Sequence, residues 1–302
     1  MAKKSEKNGV RSMMVVGTDV TKYGYHDIRA LKPFCIDSRE HPNPTYQMNV
    51  AFQEVDSVKL TKNRSISYFV PNNISLLLSN SKKALQCAEK MHKDTISKSY
   101  DEGELRSEKL WENCTLISDY IELVQTAIVF GYTALEAFAN ISIPSDFVHY
   151  KDKPKQGIQE SYNKEGIERW LSLSDKFKSL LPEIYSCKQL PQRLFTKFKN
   201  LEKLRNSIIH QKSIESTDFM YDYFKADVLE CIKAPEEIIT YFQNNNTIST
   251  TAQYEALLVW PWIEGDAAYP VTKDPTPILN WVVDMKSPHM RKRLESKSVV
   301  AE

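Results

Sequence analysis

Between Leu201 and His210 the chain reads Leu-Glu-Lys-Leu-Arg-Asn-Ser-Ile-Ile-His. Leu201, Leu204 and Ile208 recur at helical spacing and mark an apolar stripe. Asn206 and His210 are four residues apart and share a face of that helix, with Arg205 at its edge. A permanent cation and a group that titrates near neutrality are thus held on one rigid element. That pairing suits moving a proton next to a phosphate. The guanidinium can grip two phosphate oxygens while the imidazole gives or takes the proton.

Other chemistries lack their residues. There is no GxxxxGK[ST] or GxGxxG run to cradle a nucleotide, no HExxH and no GxSxG elbow. The six histidines (His26, His41, His92, His149, His210, His289) are dispersed, without the spacing of a zinc site. Neither a metal nor a cofactor is expected. Cys187 has no histidine neighbour in sequence. A net charge of +1 over 302 residues gives no global basic field, which excludes a bulk nucleic-acid coater but not a small site with local cations. The five cysteines are odd in number, scattered and free of any CxxC pair, which fits a reducing compartment. No stretch is read as approaching the roughly 20 apolar residues of a membrane span, and no apolar segment follows the charged N-terminus. The expectation is a soluble cytoplasmic protein without a membrane partner.

The elements that must position these residues follow from the pattern. Residues 1–11 are polar and are expected to be a disordered tail. Residues 12–72 carry prolines and short β-branched runs, which predicts two to four strands leaning on a helical body. Residues 73–247 are helical in texture. One helix is expected from Asn73 or Ser75 to Ser97. A longer one runs from Glu104 to Ile141, where Leu110, Cys114, Ile117, Ile121, Val124 and Ile128 keep helical spacing. A polar loop is expected from Ser142 to Asn163, then a helix from Lys164 to Leu181 that stops at Pro182. The motif helix should span Leu190 to Ser213. A last helix should run from Thr217 to Asn244, broken near Pro235. Residues 248–302 read as an irregular C-terminal extension. It includes Trp260 and Trp262, read as packing residues ahead of base-stacking ones, and a basic Arg291-Lys-Arg293 tail.

Arg205 to His210 also resembles the Arg-x4–6-His signature of the HEPN superfamily, in the form with a polar residue directly after the arginine. Two neighbouring segments are similar to that family as well: Tyr132-Thr-Ala-Leu-Glu-Ala-Phe-Ala-Asn140 on an earlier helix, and the helical run Ile167 to Lys178. The resemblance covers Gly103 to Asn244. It implies a mainly α fold, a HEPN-like helical bundle flanked by the small N-terminal β region and the irregular extension. It further implies a metal-independent endoribonuclease that acts as a homodimer on RNA. Members with this motif often serve as toxins or effectors in bacterial antiphage defence, which implies a regulatory, antitoxin or trigger protein as partner. In that picture His210 is the acid or base, Arg205 binds the phosphate, and Asn206 orients the phosphate or the facing motif. Glu136 supports them from behind, through Arg205 or His210. Lys199, Lys203 and Lys212 flank the motif as candidates for RNA phosphate contact, behind the reading of each as part of a solvated helix face beside Glu202 and Glu215. The alternative is a noncatalytic HEPN-like module that binds a partner protein or a nucleotide.

Overall fold

The computed structural model describes residues 12–19, 27–30, 34–98, 107–144, 146–153, 158–210, 218–245 and 271–273. The fold is mainly α with a small β region at the N-terminus. The chain divides into a sheet unit, residues 1–72 together with 250–302, and a helical unit, residues 73–249.

In the sheet unit, β1 (Ser12–Gly17), β2 (Phe34–Asp37), β3 (Asn49–Thr61) and β4 (Arg64–Phe69) surround the long β3. β1, β2 and β4 all pair antiparallel with β3, β4 through its second half. A fifth strand, β7 (Val271–Thr272), joins β2 in parallel, with Cys35 opposite Val271. The described core is thin: Cys35 and Ala51 pack with Val16, and Ile36 and Val70 are also buried. Polar side chains share the interior, among them Ser38, Gln53 and Glu54. Gln53 is satisfied by donating to the Ala30 carbonyl. Every residue of β4 is exposed.

The helical unit is built on α1 (Asn73–Asp94) and α2 (Ser107–Ile141). They run antiparallel: Ser81 Oγ donates to Ala127 O at 2.7 Å, and His92 lies against Tyr120 with ring centroids 6.1 Å apart. α1 is therefore left behind at Tyr120, and residues 108–115 of α2 are all exposed. From Tyr120 onward α2 is the central helix. Val124, Ala127, Ile128, Leu135, Phe138 and Ala139 are all buried. α2 is in fact long and apolar enough to cross a membrane, contrary to the sequence expectation; the same apolar surface forms the interior of the bundle. At Gly131 an added Cβ would stand 2.9 Å from Ser81 Oγ and 3.1 Å from Pro235 Cγ, so glycine lets two neighbours approach α2 closely.

Three expectations need correction. The segment from Ser142 to Asn163 contains a hairpin, β5 (His149–Lys153) and β6 (Ile158–Tyr162), rather than only loop. The single helix expected from Lys164 to Leu181 is broken into α3 (Lys164–Trp170), α4 (Leu173–Asp175), a π turn (Lys176–Leu180) and α5 (Leu181–Ile184). Leu171 is extended, and Ser172 restarts the helix by accepting from the Asp175 N–H at 3.0 Å. Pro182 does not end a helix; it sits in the first turn of α5, where its missing N–H is no loss. Finally, α6 (Gln192–Ile209) is shorter than Leu190 to Ser213 and leaves His210 as its C-cap. α7 (Ala226–Ile232) and α8 (Ala234–Asn244) follow a 3-10 turn at Asp218–Phe224, with Pro235 starting α8 as the break near it required.

An aromatic cluster fills the bundle. Phe177 meets Phe198 edge-on with ring centroids 5.2 Å apart, Tyr185 and Phe242 lie at 5.4 Å, and Phe138 lies 6.0 Å from Phe242. Such offset and edge contacts add to the large area each ring buries. The cluster fixes α2, the π turn, α6 and α8 against each other, and so fixes the base on which the motif sits.

Candidate functional site

Phe198, Leu201 and Leu204 pin the inner side of α6 in this core. The rim of the helix then carries Lys199, Glu202, Arg205, Asn206 and His210. Arg205 is half-buried. Its guanidinium lies over the Tyr132 ring of α2, 5.0 Å from the centroid, and Nη1 donates to Asn206 Oδ1 at 3.1 Å. The cation is held by the face of an aromatic ring rather than by a carboxylate, so its charge is directed but not neutralised by that contact.

Tyr132 is the support. Its ring is buried and stacks on Phe198 at 6.4 Å, nearly parallel, and its hydroxyl donates to Glu202 Oε1 at 3.4 Å. Burial raises the phenol's pKa, Glu202 and Glu136 raise it further, and Arg205 opposes them. The phenol therefore stays a proton donor to Glu202 at neutral pH. Glu202 also accepts from Ser174 Oγ at 3.2 Å and is paired with Lys199, whose ammonium donates to Ser174 Oγ at 2.9 Å. Lys199 is thus engaged within the protein.

A second layer lies along α2. Tyr132, Glu136 and Asn140 recur every four residues on one face. Glu136 is exposed. Lys176, at the start of the π turn, is only 3 % exposed and donates to Asn140 Oδ1 at 2.7 Å and to the Glu168 carbonyl at 3.2 Å. Burial lowers the pKa of its ammonium, and the charges of Glu136 and Glu168 pull it back up. Glu136 therefore acts on this polar layer through Tyr132 and Lys176.

His210 closes α6. Its backbone N–H donates to Asn206 O at 2.9 Å, while its ring is exposed. The structure so seats Arg205 on Tyr132 with Asn206 bonded to it, and places His210 one turn on from Asn206. Lys203 is exposed. Lys212, Trp260, Trp262 and the Arg291–Arg293 tail lie outside the described residues.

Tyr132, Ser174, Lys176 and Glu202 escaped the sequence reading. The four-residue repeat of Tyr132, Glu136 and Asn140 was a usable signal; Lys176 offered none. Among the described residues no group of three or more His, Cys, Asp or Glu side chains is placed to hold a metal ion. The Cys187 thiol is pushed up by burial, the reverse of an activated nucleophile. A cavity of about 380 Å³ lies in the sheet unit, lined by Asp37, Ser38, Arg39, Glu40, His41 and Lys273, and it contains none of the motif residues.

The chain matches no family model, no curated protein and no solved structure. The meaning of the site therefore rests on its own residues.

Proposed function

We propose that this chain is a metal-independent endoribonuclease of the HEPN type. It acts as a homodimer in the cytoplasm, and its role is that of a toxin or effector in bacterial antiphage defence, restrained or triggered by a partner protein. The observation that carries the reading is the treatment of Arg205. Its guanidinium is seated on Tyr132, bonded to Asn206 and left half-exposed, one turn from an exposed histidine.

The chemistry follows from those groups. One His210 takes the proton of a ribose 2′-hydroxyl. The 2′-oxygen attacks the adjacent phosphorus, and the bond to the 5′-oxygen breaks. The His210 of a second copy gives that oxygen its proton. Arg205 holds the phosphoryl oxygens as charge builds on them, with Asn206 fixing its orientation. The products are a 2′,3′-cyclic phosphate and a 5′-hydroxyl. One histidine per chain supplies one proton carrier, so the two-fold pairing supplies the other.

The engagement of Lys199 by Glu202 and Ser174 favours the second reading, a noncatalytic module that binds a protein or a nucleotide. One experiment separates the two. Purified protein is incubated with total RNA and excess EDTA, beside His210→Ala and Arg205→Ala. The nuclease reading expects new 5′-hydroxyl ends with wild type alone. Cleavage that depends strictly on added Mg²⁺ or Mn²⁺, or that persists in a folded His210→Ala protein, overturns it.

A further inference from the structure

The corner between α3 and α4 carries an exposed indole on a backbone fixed on both sides. Trp170, the last residue of α3, is 68 % exposed. Two residues earlier, the Glu168 carbonyl accepts from the buried Lys176 ammonium at 3.2 Å. On the other side, the Leu171 N–H donates to Ile167 O at 3.2 Å, and Ser172 caps α4. The Arg169 guanidinium lies 5.0 Å from the Trp170 ring centroid. A large apolar ring is thus presented to solvent by a rigid corner and accompanied by a cation.

This corner belongs to the candidate site. Ser174, four residues beyond Trp170, bonds Glu202 on α6, one turn before Arg205. Four residues of chain span at most about 14 Å, which bounds the distance from Trp170 to Ser174. A flat π ligand can stack on an indole whichever base it is, and the guanidinium adds both stacking and attraction for phosphate. Arg169 at the corner and Arg205 at the motif give a strand that reaches both points a cation at each end.

We propose that Trp170, with Arg169 beside it, is a stacking platform for an unpaired base of the single-stranded RNA whose phosphate is held at Arg205. The proposal rests on the nuclease reading for its substrate and names that substrate's form. A paired base keeps its neighbours in the helix and cannot lie on the indole, so single strands are selected over duplexes.

The test uses full-length His210→Ala protein, which removes turnover. Binding of a labelled, unstructured RNA decamer is followed by anisotropy, with the same sequence as a duplex for comparison. Adding Trp170→Ala should weaken single-strand binding about 5- to 100-fold, while Trp170→Phe keeps most of it. The duplex should bind more weakly and be insensitive to either change. Thermal unfolding of each variant checks that the exposed substitution leaves the fold intact. In the otherwise wild-type protein, Trp170→Ala should raise KM and spare kcat. If Trp170→Ala leaves both Kd and KM unchanged while cleavage proceeds, the platform is overturned and the nuclease reading stands. If binding needs Trp170 but no cleavage occurs, the platform stands and the nuclease reading falls. Absence of any RNA binding overturns both.

Discussion

The sheet unit and the helical unit are stabilised in different ways. The helical unit closes around large rings: Tyr120, Phe138, Phe177, Tyr185, Phe198, Tyr223 and Phe242 are all nearly or completely inaccessible. The buried apolar side chains described in the sheet unit are few and hold no aromatic ring: Cys35, Ile36, Ala51 and Val70, with buried Ser38, Gln53 and Glu54 beside them. Apolar area is the main source of stability, so the first unit is rich in it and the second relies more on strand pairing. The candidate site stands on the richer unit. A charged residue such as Lys176 can be kept inside only where the surroundings are rigid enough to hold its partners in place.

The comparison is broken most directly by removing a ring. Phe198→Ala should cost about 3–5 kcal/mol in denaturant unfolding, because Phe198 packs on both Phe177 and Tyr132. It should also loosen Tyr132 and so the seat of Arg205. A cost near that of a surface substitution would show that the aromatic cluster is not the source of the bundle's stability.

Gly131→Ala should come next. Alanine favours the helix by about 1 kcal/mol, but its methyl group meets Ser81 Oγ and Pro235 Cγ at closest approach. The net result expected is a loss of about 1–2 kcal/mol, measured as a lower midpoint with unchanged slope. A gain in stability would mean that α1 and α8 yield easily.

Alkali should separate the units by the groups that titrate. Burial pushes Tyr120 and Tyr223 of the helical unit up to about 12, from an ordinary 10.0. Burial pushes Cys35 of the sheet unit up to about 12, from an ordinary 9.0. Folded values above unfolded ones mean stability that is complete below the unfolded value and is lost as pH rises toward the folded one. The cysteine contribution should fade from about pH 9 and the tyrosine contribution from about pH 10. Cys35→Ala should remove the earlier part of the loss, and Tyr120→Phe should blunt the later part, followed by far-ultraviolet circular dichroism. Alkylation of the native protein sharpens the same point: exposed Cys87 and Cys114 should react well before buried Cys35 and Cys231.

The smallest effect belongs to the sheet's outer strand. Ile66→Ser on β4 removes a side chain that is already 50 % exposed and should change stability by less than about 0.5 kcal/mol. A larger loss would show that β4 contributes more to the unit than its exposure implies.

Much of this was legible in local spacing. The helical stripe of Leu201 and Leu204, the start of α1 at Asn73 or Ser75 and a region of two to four strands before it follow from periodicity and turn residues. What was not legible depends on partners distant in sequence. Tyr132 meets Glu202 and Arg205 some seventy residues away. Lys176 looks like any surface lysine until α2 brings Asn140 to it. The β5–β6 hairpin was hidden because its strands are polar, leaving no apolar alternation to read. The parallel pairing of β7 with β2 joins segments more than two hundred residues apart. The break of the helix after Trp170 was missed because Leu171 and Ser172 fit a helical pattern as well as they fit a cap.

The π turn after Asp175 has a consequence for how this protein can change. In it Leu181 donates to Lys176, five residues back, so the turn holds one residue more than an α-helix would use. Deleting any one residue between Lys176 and Leu180 would restore ordinary helical bonding and would look harmless by helix propensity. It would also rotate the chain before it by about 100° relative to α5. Ser174 would leave Glu202, and the corner bearing Trp170 would turn away from α6. Single-residue deletions here should therefore disable the protein where many substitutions on the outer side, such as at Lys178 or Ser179, are tolerated. In this segment the length of the chain is under tighter constraint than its composition.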